Sequence, residues 1–256
     1  MDVNLNNAAY LKYTSSSQKA RVLTEPWVKN NLYCPRCGNT HLESFPNNKK
    51  VADFFCPACS SQFELKSKKG KFSKKVLAGE YNAMIQRITS NENPDFLFMS
   101  YSSSEKKINE LFFVPKHFFT PYIIEKRKPL SSKAKRAGWT GCNILINEIP
   151  EQGKVEIISE RKERSKTSVL NEITRISALT ENNIEKRGWL MDVLSCVNQI
   201  PTREFTAKEI YAFERILSEK HPNNKHVKDK IRQQLQVLRE KGILEFISRG
   251  IYRKAI

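Results

Sequence analysis

The sequence predicts an α/β protein: a mixed sheet with an inserted four-cysteine segment, followed by a C-terminal winged helix-turn-helix. Apolar, strand-sized segments recur through the first part of the chain, and two Cys-x2-Cys pairs interrupt them. The last stretch of about 70 residues has helical and strand patterns in the order of a winged helix. Between these parts the chain turns polar, from Ser159 to Asn183. We therefore expect one domain over residues 1–183, with the cysteine segment at 33–60, and a second over residues 184–256.

Composition and charge limit the classes of function. The chain has 256 residues, 39% of them hydrophobic, so it can hold one or two packed domains and is not wholly disordered. Lys and Arg number 44 against 27 Asp and Glu, a formal charge of +17. This excess favours a polyanionic partner, nucleic acid first and a membrane surface second. No apolar run approaches the roughly 18 residues that span a bilayer, and the first residues lack the pattern of a signal peptide, so we expect a cytoplasmic location and no membrane contact.

The first 90 residues contain two predicted helices and a strand between them. A helix is expected over Ser16–Asn30, since a serine can cap it and its apolar residues recur at helical spacing, although Pro26 should end or kink it. Phe63–Lys66 alternates as a strand, and Ala78–Thr89 has the periodicity of a helix. The cysteine segment therefore leads directly into a strand.

The middle of the chain is predicted to supply most of the sheet. Short apolar runs typical of buried strands lie at Pro94–Tyr101, Leu111–Val114, Gly141–Ile146 and Val155–Ile158. The polar stretch that follows has some helical periodicity between Ser168 and Leu179.

The C-terminal part has the element order of a winged helix. We predict helices over Gly188–Ile200, over Thr206–Lys220 with a capping box at its start, and over Lys225–Lys241, which Gly242 ends. Ile243–Arg253 then alternates as a hairpin. In such a fold the third helix enters the major groove of DNA and the hairpin reaches an adjacent groove or the backbone.

Four of the six cysteines have the spacing of a zinc site. Cys34-Pro-Arg-Cys37 and Cys56-Pro-Ala-Cys59 are separated by 18 residues, as in four-thiolate zinc sites. The alternatives are a redox pair, or buried or disulfide-bonded cysteines. His41 could replace a thiolate, but four cysteines suffice. Cys142 and Cys196 lie in apolar contexts and are expected in the core.

A second constellation consists of two carboxylates and a lysine. Asp53 is followed after ten residues by Glu64-Leu-Lys66. In a strand, Glu64 and Lys66 point to the same face, and Asp53 can meet Glu64 if it ends a neighbouring strand. Two carboxylates suit a Mg²⁺ ion, which polarises a phosphate and activates water, while the lysine can orient or deprotonate that water and offset charge. The alternative is that these are ordinary surface residues, because the bare pattern is common.

Two runs of basic residues lie near this constellation in the sequence. Lys66–Lys75 has six lysines and no acid, and Lys126–Arg136 has six basic residues and no acid. Either run alone is as readily a solvated face. Two such runs, one of which begins at Lys66, favour contacts with phosphates.

Several longer tracts are far more specific than the short motifs. They are Ser17–Arg21 with Leu23–Glu25, the four cysteines, Val51–Phe54, Phe63–Gly70, Arg136–Trp139 with Gly141–Ile144, and Lys230–Gln236. On these tracts, essentially the whole chain resembles the DpnI family of methyl-directed (type IIM) restriction endonucleases, which cut GATC when its adenine is N6-methylated.

The resemblance implies a PD-(D/E)xK nuclease domain followed by a winged helix. It implies that Asp53, Glu64 and Lys66 are the catalytic triad, with Mg²⁺ as the catalytic metal and Zn²⁺ as a structural one. It also implies adenine-methylated double-stranded DNA as partner, a monomeric protein and a bacterial cytoplasmic location. Ala52 stands where a proline often precedes the aspartate, which has no catalytic consequence. Glu25 is a weaker candidate for a further acid near the metal, and the alternatives are a solvent-exposed position or a supporting role one layer further from the metal.

Methyl recognition should involve both domains. One methyl group in an apolar pocket discriminates between methylated and unmethylated DNA by a factor of roughly 10–200. If both domains recognise the methylated site independently, their two factors multiply. The resemblance likewise implies two methyl-sensing modules. In the winged helix the candidates for DNA contact lie on the third helix and the hairpin tip: Lys225, His226, Lys228, Arg232, Gln233, Gln236 and Arg249. Most of these can equally contact phosphates; Arg232 and Gln233 are the best candidates for base contacts.

In the nuclease domain, the expected DNA contacts are basic residues of the two runs and one tryptophan. Trp139 follows a basic run between two glycines, so it could wedge between base pairs or form a wall of a methyl pocket, or else anchor its loop in the core. The phosphate-binding candidates are Lys68, Lys69, Lys126, Arg127, Lys133 and Arg136.

Three other functions remain open from the residues alone. A zinc-containing winged-helix regulator without catalysis would need neither Asp53 nor Mg²⁺. A second alternative is a nuclease of the same fold that ignores methylation or is blocked by it, and a third is an enzyme inactivated by drift. Only the resemblance separates these two from the main interpretation, although the intact triad argues against drift.

Overall fold

The computed structural model describes residues 1–5, 12–46, 52–90 and 92–255. Val51, within one of the tracts above, lies outside them. The helices of this part of the chain are α1 (Ser16–Asn31), α2 (Tyr81–Thr89), α3 (Lys166–Ser177), α4 (Ile184–Gln199), α5 (Ala207–Tyr211), α6 (Glu214–Lys220) and α7 (Val227–Glu240). None of them is long and apolar enough to cross a membrane. Its strands are β1 (Glu43–Ser44), β2 (Phe54–Phe55), β3 (Gln62–Lys69), β4 (Lys75–Glu80), β5 (Asp95–Ser102), β6 (Lys107–Val114), β7 (Ile124–Lys126), β8 (Gly141–Leu145), β9 (Val155–Ser159), β10 (Lys162–Glu163), β11 (Glu204–Thr206), β12 (Leu244–Ser248) and β13 (Ile251–Lys254).

The main sheet is mixed, as the sequence predicts. Among the described strands, its order is β1-β2-β3-β5-β6-β9-β10, with β3 parallel to β5 and the other neighbours antiparallel. Strand β5 is buried from Asp95 to Tyr101, which explains its nearly continuous apolar sequence. This sheet therefore forms the centre of the nuclease-like part and carries β3, the strand of Glu64 and Lys66.

A smaller sheet, in the order β4-β8-β7, corrects one predicted helix. The predicted helix at Ala78–Thr89 begins at Tyr81, because residues 78–80 continue β4 and pair with β8. The Glu80 side chain accepts hydrogen bonds from the backbone N–H groups of Asn82 and Ala83 and so caps α2. The prediction of a helix at residues 78–80 was wrong because, over so few residues, a periodic pattern does not distinguish a short edge strand from the first turn of a helix.

Two other helices differ from the sequence prediction. Helix α1 continues through Pro26 to Asn31, with Leu23 and Trp27 buried on one face. The polar stretch before the winged helix is mostly not a linker, since α3 buries Val169, Ile173 and Ile176 and packs on β9. Its polar residues are the solvent side of an amphipathic helix.

The C-terminal part has the predicted winged-helix architecture. Strands β11, β13 and β12 form its sheet, in that order. The predicted capping box between Thr206 and Glu209 is present, but the predicted second helix divides into α5 and α6. Helix α4 begins at Ile184, because the Asn183 side chain accepts a hydrogen bond from the Lys186 N–H and caps it.

Helix α7 starts two residues later than predicted. It begins at Val227, so Lys225 and His226 precede the helix instead of lying within it. Its buried face is apolar, and its outward face carries the basic and amide residues.

The two parts pack against each other through a polar and aromatic contact. The ring of His221 stacks on Trp189 at a centroid distance of 3.9 Å and meets Tyr122 of the nuclease-like part edge-on at 5.0 Å. Nearby, the amides of Gln152 and Asn198 exchange two hydrogen bonds, of 3.1 and 2.8 Å. These reciprocal contacts fix the orientation of the winged helix on the larger domain.

Burial keeps His117 neutral and makes the stability of the fold depend on pH. Its side chain is 2% exposed, and desolvation, reinforced by the charge of Arg36, lowers the pKa of His117 to about 3. As the pH falls through about 6.5, the imidazole takes up a proton in the unfolded chain but stays neutral in the folded one. The free energy of unfolding therefore decreases as the pH falls below that value. We expect this group to contribute about 2 kcal/mol to the stability lost between pH 7 and pH 5.

Denaturant unfolding at both pH values, for the wild type and His117→Gln, measures this contribution. The variant should lose about 2 kcal/mol less than the wild type over this interval. Equal losses in the two proteins would contradict a neutral buried His117.

Candidate functional site

Asp53 directly precedes β2, beside the strand of Glu64 and Lys66, instead of ending a neighbouring strand. Its backbone N–H donates to the carbonyl oxygen of Phe63 at 3.0 Å, and its Oδ2 accepts a hydrogen bond from the Leu65 N–H at 2.7 Å. Strands β2 and β3 pair antiparallel immediately beyond this point. The position of Asp53 is therefore fixed by backbone contacts to the strand that carries the other two residues.

Glu64 and Lys66 form a direct ion pair on one face of β3. Lys66 Nζ donates to Glu64 Oε1, and Arg87 Nη1 from α2 lies 3.7 Å from Glu64 Oε2. The Lys66 and Glu64 side chains are 16% and 14% exposed. Burial disfavours the charge of Glu64, but Lys66 and Arg87 outweigh it and lower the pKa of this carboxyl. Arg87 is a residue that the sequence analysis missed, because nothing in its local pattern links α2 to β3.

The three residues line one open cleft of about 300 Å³. Helix α1 contributes Glu25 to the same cleft, and its pKa is raised by burial and by the charge of Asp53. A second cleft, of about 400 Å³, shares Glu64 and Lys66 and is lined on the other side by α2, including Arg87. Glu25 thus lines the same cleft as Asp53, Glu64 and Lys66, and its carboxylate accepts a hydrogen bond from Arg21.

The cleft has the donor set of a hard divalent cation. Burial and the neighbouring charge of Glu64 raise the pKa of Asp53, so the two carboxyl groups influence each other electrostatically. One oxygen of Asp53 is held by Leu65, which fixes the direction of the carboxyl group. Asp53 and Glu64 therefore supply two carboxylates of the kind that a Mg²⁺ ion binds, and Glu25 lines the same cleft.

The four predicted zinc ligands come together as one cluster. Cys34 Sγ lies 3.7 Å from Cys59 Sγ, and Cys37 Sγ lies 3.6 Å from Cys56 Sγ, with all four ligand atoms within 4.8 Å of one another. Sulfurs bound at 2.3 Å to a tetrahedral zinc ion are about 3.8 Å apart. The geometry therefore fits zinc, and His41 lies outside this cluster.

The two knuckles have the same backbone design. The Gly38 N–H bonds to the Cys34 carbonyl, and the Ser60 N–H bonds to the Cys56 carbonyl. Gly38 and Ser60 each follow the second cysteine and have positive φ, 77° and 60°, which turns the chain back toward the first cysteine. As predicted, the other two cysteines, Cys142 and Cys196, are buried in the core.

The cysteine cluster is tied to the main sheet by residues that the sequence analysis did not single out. Arg36, between Cys34 and Cys37, donates two hydrogen bonds to the buried Asp95 at 2.7 and 2.6 Å. Lys166 of α3 donates to the Gly38 carbonyl at 2.6 Å. In addition, the Cys56 knuckle is itself the connection between β2 and β3, so the cluster holds Asp53 against Glu64.

The basic candidates of the nuclease-like part lie around the small sheet and the end of β3. Lys68 is half-buried, whereas Lys69, Lys126, Arg127, Lys133 and Arg136 are exposed. Trp139 is half-buried: its ring covers the backbone of Gly141, and the Arg136 guanidinium lies 4.8 Å from the ring centroid. Trp139 is therefore neither fully buried nor a free aromatic side chain.

The winged-helix candidates share the outward surface of α7 and the hairpin tip. Lys225, His226, Lys228, Arg232, Gln233, Gln236 and Arg249 are all exposed. Arg232 donates to the Tyr211 hydroxyl, and Lys228 forms an ion pair with Glu214 at 3.2 Å. These pairs hold two of the basic side chains close to the protein surface, and the Tyr211 contact is one that the sequence did not reveal.

Two protein-family models match this chain. Residues 1–182 match the DpnI model, described as the Dam-replacing family, and residues 185–254 match the DpnI_C model, described as the Dam-replacing HTH domain. The first match includes Asp53, Glu64, Lys66 and the cysteine cluster, and the second includes α7 and the hairpin. The family implies a restriction nuclease with a DNA-binding helix-turn-helix domain. The chain belongs to the DpnI (Dam-replacing) family.

Proposed function

We propose that this protein is a Mg²⁺-dependent endonuclease that cleaves double-stranded DNA at GATC sites carrying N6-methyladenine. The observation that carries the proposal is the convergence of Asp53, Glu64 and Lys66 in one cleft of a chain that belongs to this family. The nuclease domain comprises residues 1–183 and the winged-helix domain residues 184–256, and the protein acts as a monomer.

In this mechanism, Asp53 and Glu64 bind the metal, and Lys66 stabilises charge. A Mg²⁺ ion held by these two carboxylates would polarise the scissile phosphate and would lower the pKa of a water molecule. Burial disfavours the charged lysine, but the carboxylates of Glu64 and Asp53 raise the pKa of Lys66, so it is an ammonium at neutral pH. A cationic Lys66 orients the attacking water and offsets negative charge on the phosphate in the transition state. This protonation state favours that role over general-base catalysis.

Binding is shared between the two domains. Lys68, Lys69, Lys126, Arg127, Lys133 and Arg136 contact phosphates along the nuclease domain, and the exposed face of α7 with Arg249 contacts a groove and its backbone. Trp139 is the methyl-sensing residue of the nuclease domain, because it is an apolar surface partly exposed among phosphate-binding side chains. The factors by which the two domains each discriminate methylated from unmethylated DNA multiply.

Digestion of one GATC-containing plasmid, prepared with and without adenine methylation, tests this function. We expect cleavage of the methylated plasmid alone, and only when Mg²⁺ is present. Cleavage of both plasmids would contradict methyl dependence and leave the nuclease. Binding without cleavage of either would favour the alternative, a winged-helix regulator without catalysis.

A further inference from the structure

The outer face of the small sheet lies beside the catalytic cleft. Leu77, on the edge strand β4, lines the cleft together with Asp53, Glu64 and Lys66 and is 67% exposed. Its direct partner across the sheet is Asn143 of β8. Paired residues in a sheet share a face, so Leu77 and Asn143 both point away from the core. We call this surface the outer face.

The rest of the outer face is apolar at one end and basic at its margins. The position of a Cβ on Gly141 lies 2.8 Å from the Trp139 ring and 3.4 Å from Arg127 Nη1, so both side chains lie over this face. Asn143 therefore stands between two apolar side chains, Leu77 and Trp139, on a surface with nearby cations. A polar amide between two apolar side chains and near cations is the kind of surface that contacts a groove of nucleic acid.

The amide of Asn143 has a defined direction. Its Nδ2 donates to Glu125 Oε2 at 2.7 Å, and Glu125 is paired with Lys75. The hydrogen bonds from Lys75 and Asn143 lower the pKa of Glu125, so it is a carboxylate and can only accept. The nitrogen must then face Glu125, and the Oδ1 points elsewhere. Within the described residues, Asn143 Oδ1 has no hydrogen-bond donor.

We propose that Asn143 reads a base edge of the bound DNA, with Glu125 as the positioning residue that sets the direction of its amide. This inference rests on the proposed function. An Oδ1 that can only accept requires an exocyclic amino group, which in the major groove means adenine N6 or cytosine N4. In a paired N6-methyladenine the methyl group replaces the groove-side hydrogen. In the major groove of a methylated GATC site, the partner of Asn143 is therefore the N4 amino group of cytosine.

Deleting that amino group from the DNA tests the contact directly. The substrates are a methylated GATC duplex and the same duplex with pyrimidin-2-one, which lacks the amino group, in place of cytosine. For the wild type, kcat/KM should fall about 10-fold on this replacement. Asn143→Ala should cut the normal duplex about 10-fold more slowly. It should lose a smaller factor than the wild type on the replacement, because the lost pairing bond to guanine O6 affects both proteins alike.

Two further variants separate this role from a structural one. Glu125→Gln should lose part of the discrimination, because a glutamine can donate or accept and allows both directions of the Asn143 amide. Asn147→Ala, an exposed asparagine of the same domain, should behave as the wild type. If Asn143→Ala loses the same factor as the wild type on the replacement, the inference is wrong. If the wild type cuts no methylated duplex, the proposed function fails and the inference with it.

Discussion

Replacing Lys66 by alanine should abolish DNA cleavage while DNA binding persists. Lys66 supplies the only ammonium in direct contact with Glu64 among the described residues, and its charge stands where negative charge develops on the phosphate. Loss of one such preorganised group lowers kcat by roughly 10²–10³-fold or more. Arg87 still faces Glu64 after the change, so this carboxylate keeps a cationic neighbour and the fold should survive.

Cleavage of a methylated plasmid and gel-shift binding with Ca²⁺ in place of Mg²⁺ measure the two effects separately. Lys69→Ala is the matched control, because it removes an exposed lysine from the same strand. We expect the control to cut with at most a modest loss and a weaker salt dependence of binding. If Lys66→Ala loses binding as well as cleavage, Lys66 has a structural role and the proposed mechanism is wrong.

Removal of zinc from the cysteine cluster should abolish DNA cleavage, although the zinc does not contact the cleft of Asp53, Glu64 and Lys66. The Cys56–Cys59 knuckle connects the strand next to Asp53 with the strand of Glu64 and Lys66. Structural zinc in small domains contributes roughly 10 kcal/mol or more of binding free energy that stabilises the fold. Without it, we expect the segment to unfold and Asp53 to lose its backbone contacts to Phe63 and Leu65.

Cys34→Ser is the variant that tests this coupling. We expect it to retain no zinc in elemental analysis, to melt at a lower temperature and to lose cleavage in excess Mg²⁺. Cys142→Ser is the control, since it also removes a buried thiol but lies outside the cluster and should keep one zinc per chain. A stable, fully active Cys34→Ser protein without bound zinc would refute the site.

The sequence by itself determined the features whose physical cause is local. Four thiolates in two tight turns need no distant partner to be recognised, and their cluster forms as the spacing predicted. Period-two alternation placed Glu64 and Lys66 on the same face of a strand. The winged helix was also visible, because the apolar face of α7 and the capping box of Thr206 are encoded within single elements.

Tertiary structure decided every contact made between segments far apart in the chain. Arg87 reaches Glu64 from α2, and Arg36 reaches Asp95 across 59 residues, and no local pattern signals either pairing. The first turn of the predicted helix at Ala78 became a strand, because β8 supplied its hydrogen-bond partners. The direction of the Asn143 amide is of the same kind, since Glu125 of β7 accepts its hydrogen bond and is itself paired with Lys75 of β4. Such contacts depend on which strands become neighbours, and sheet order is a property of the whole chain.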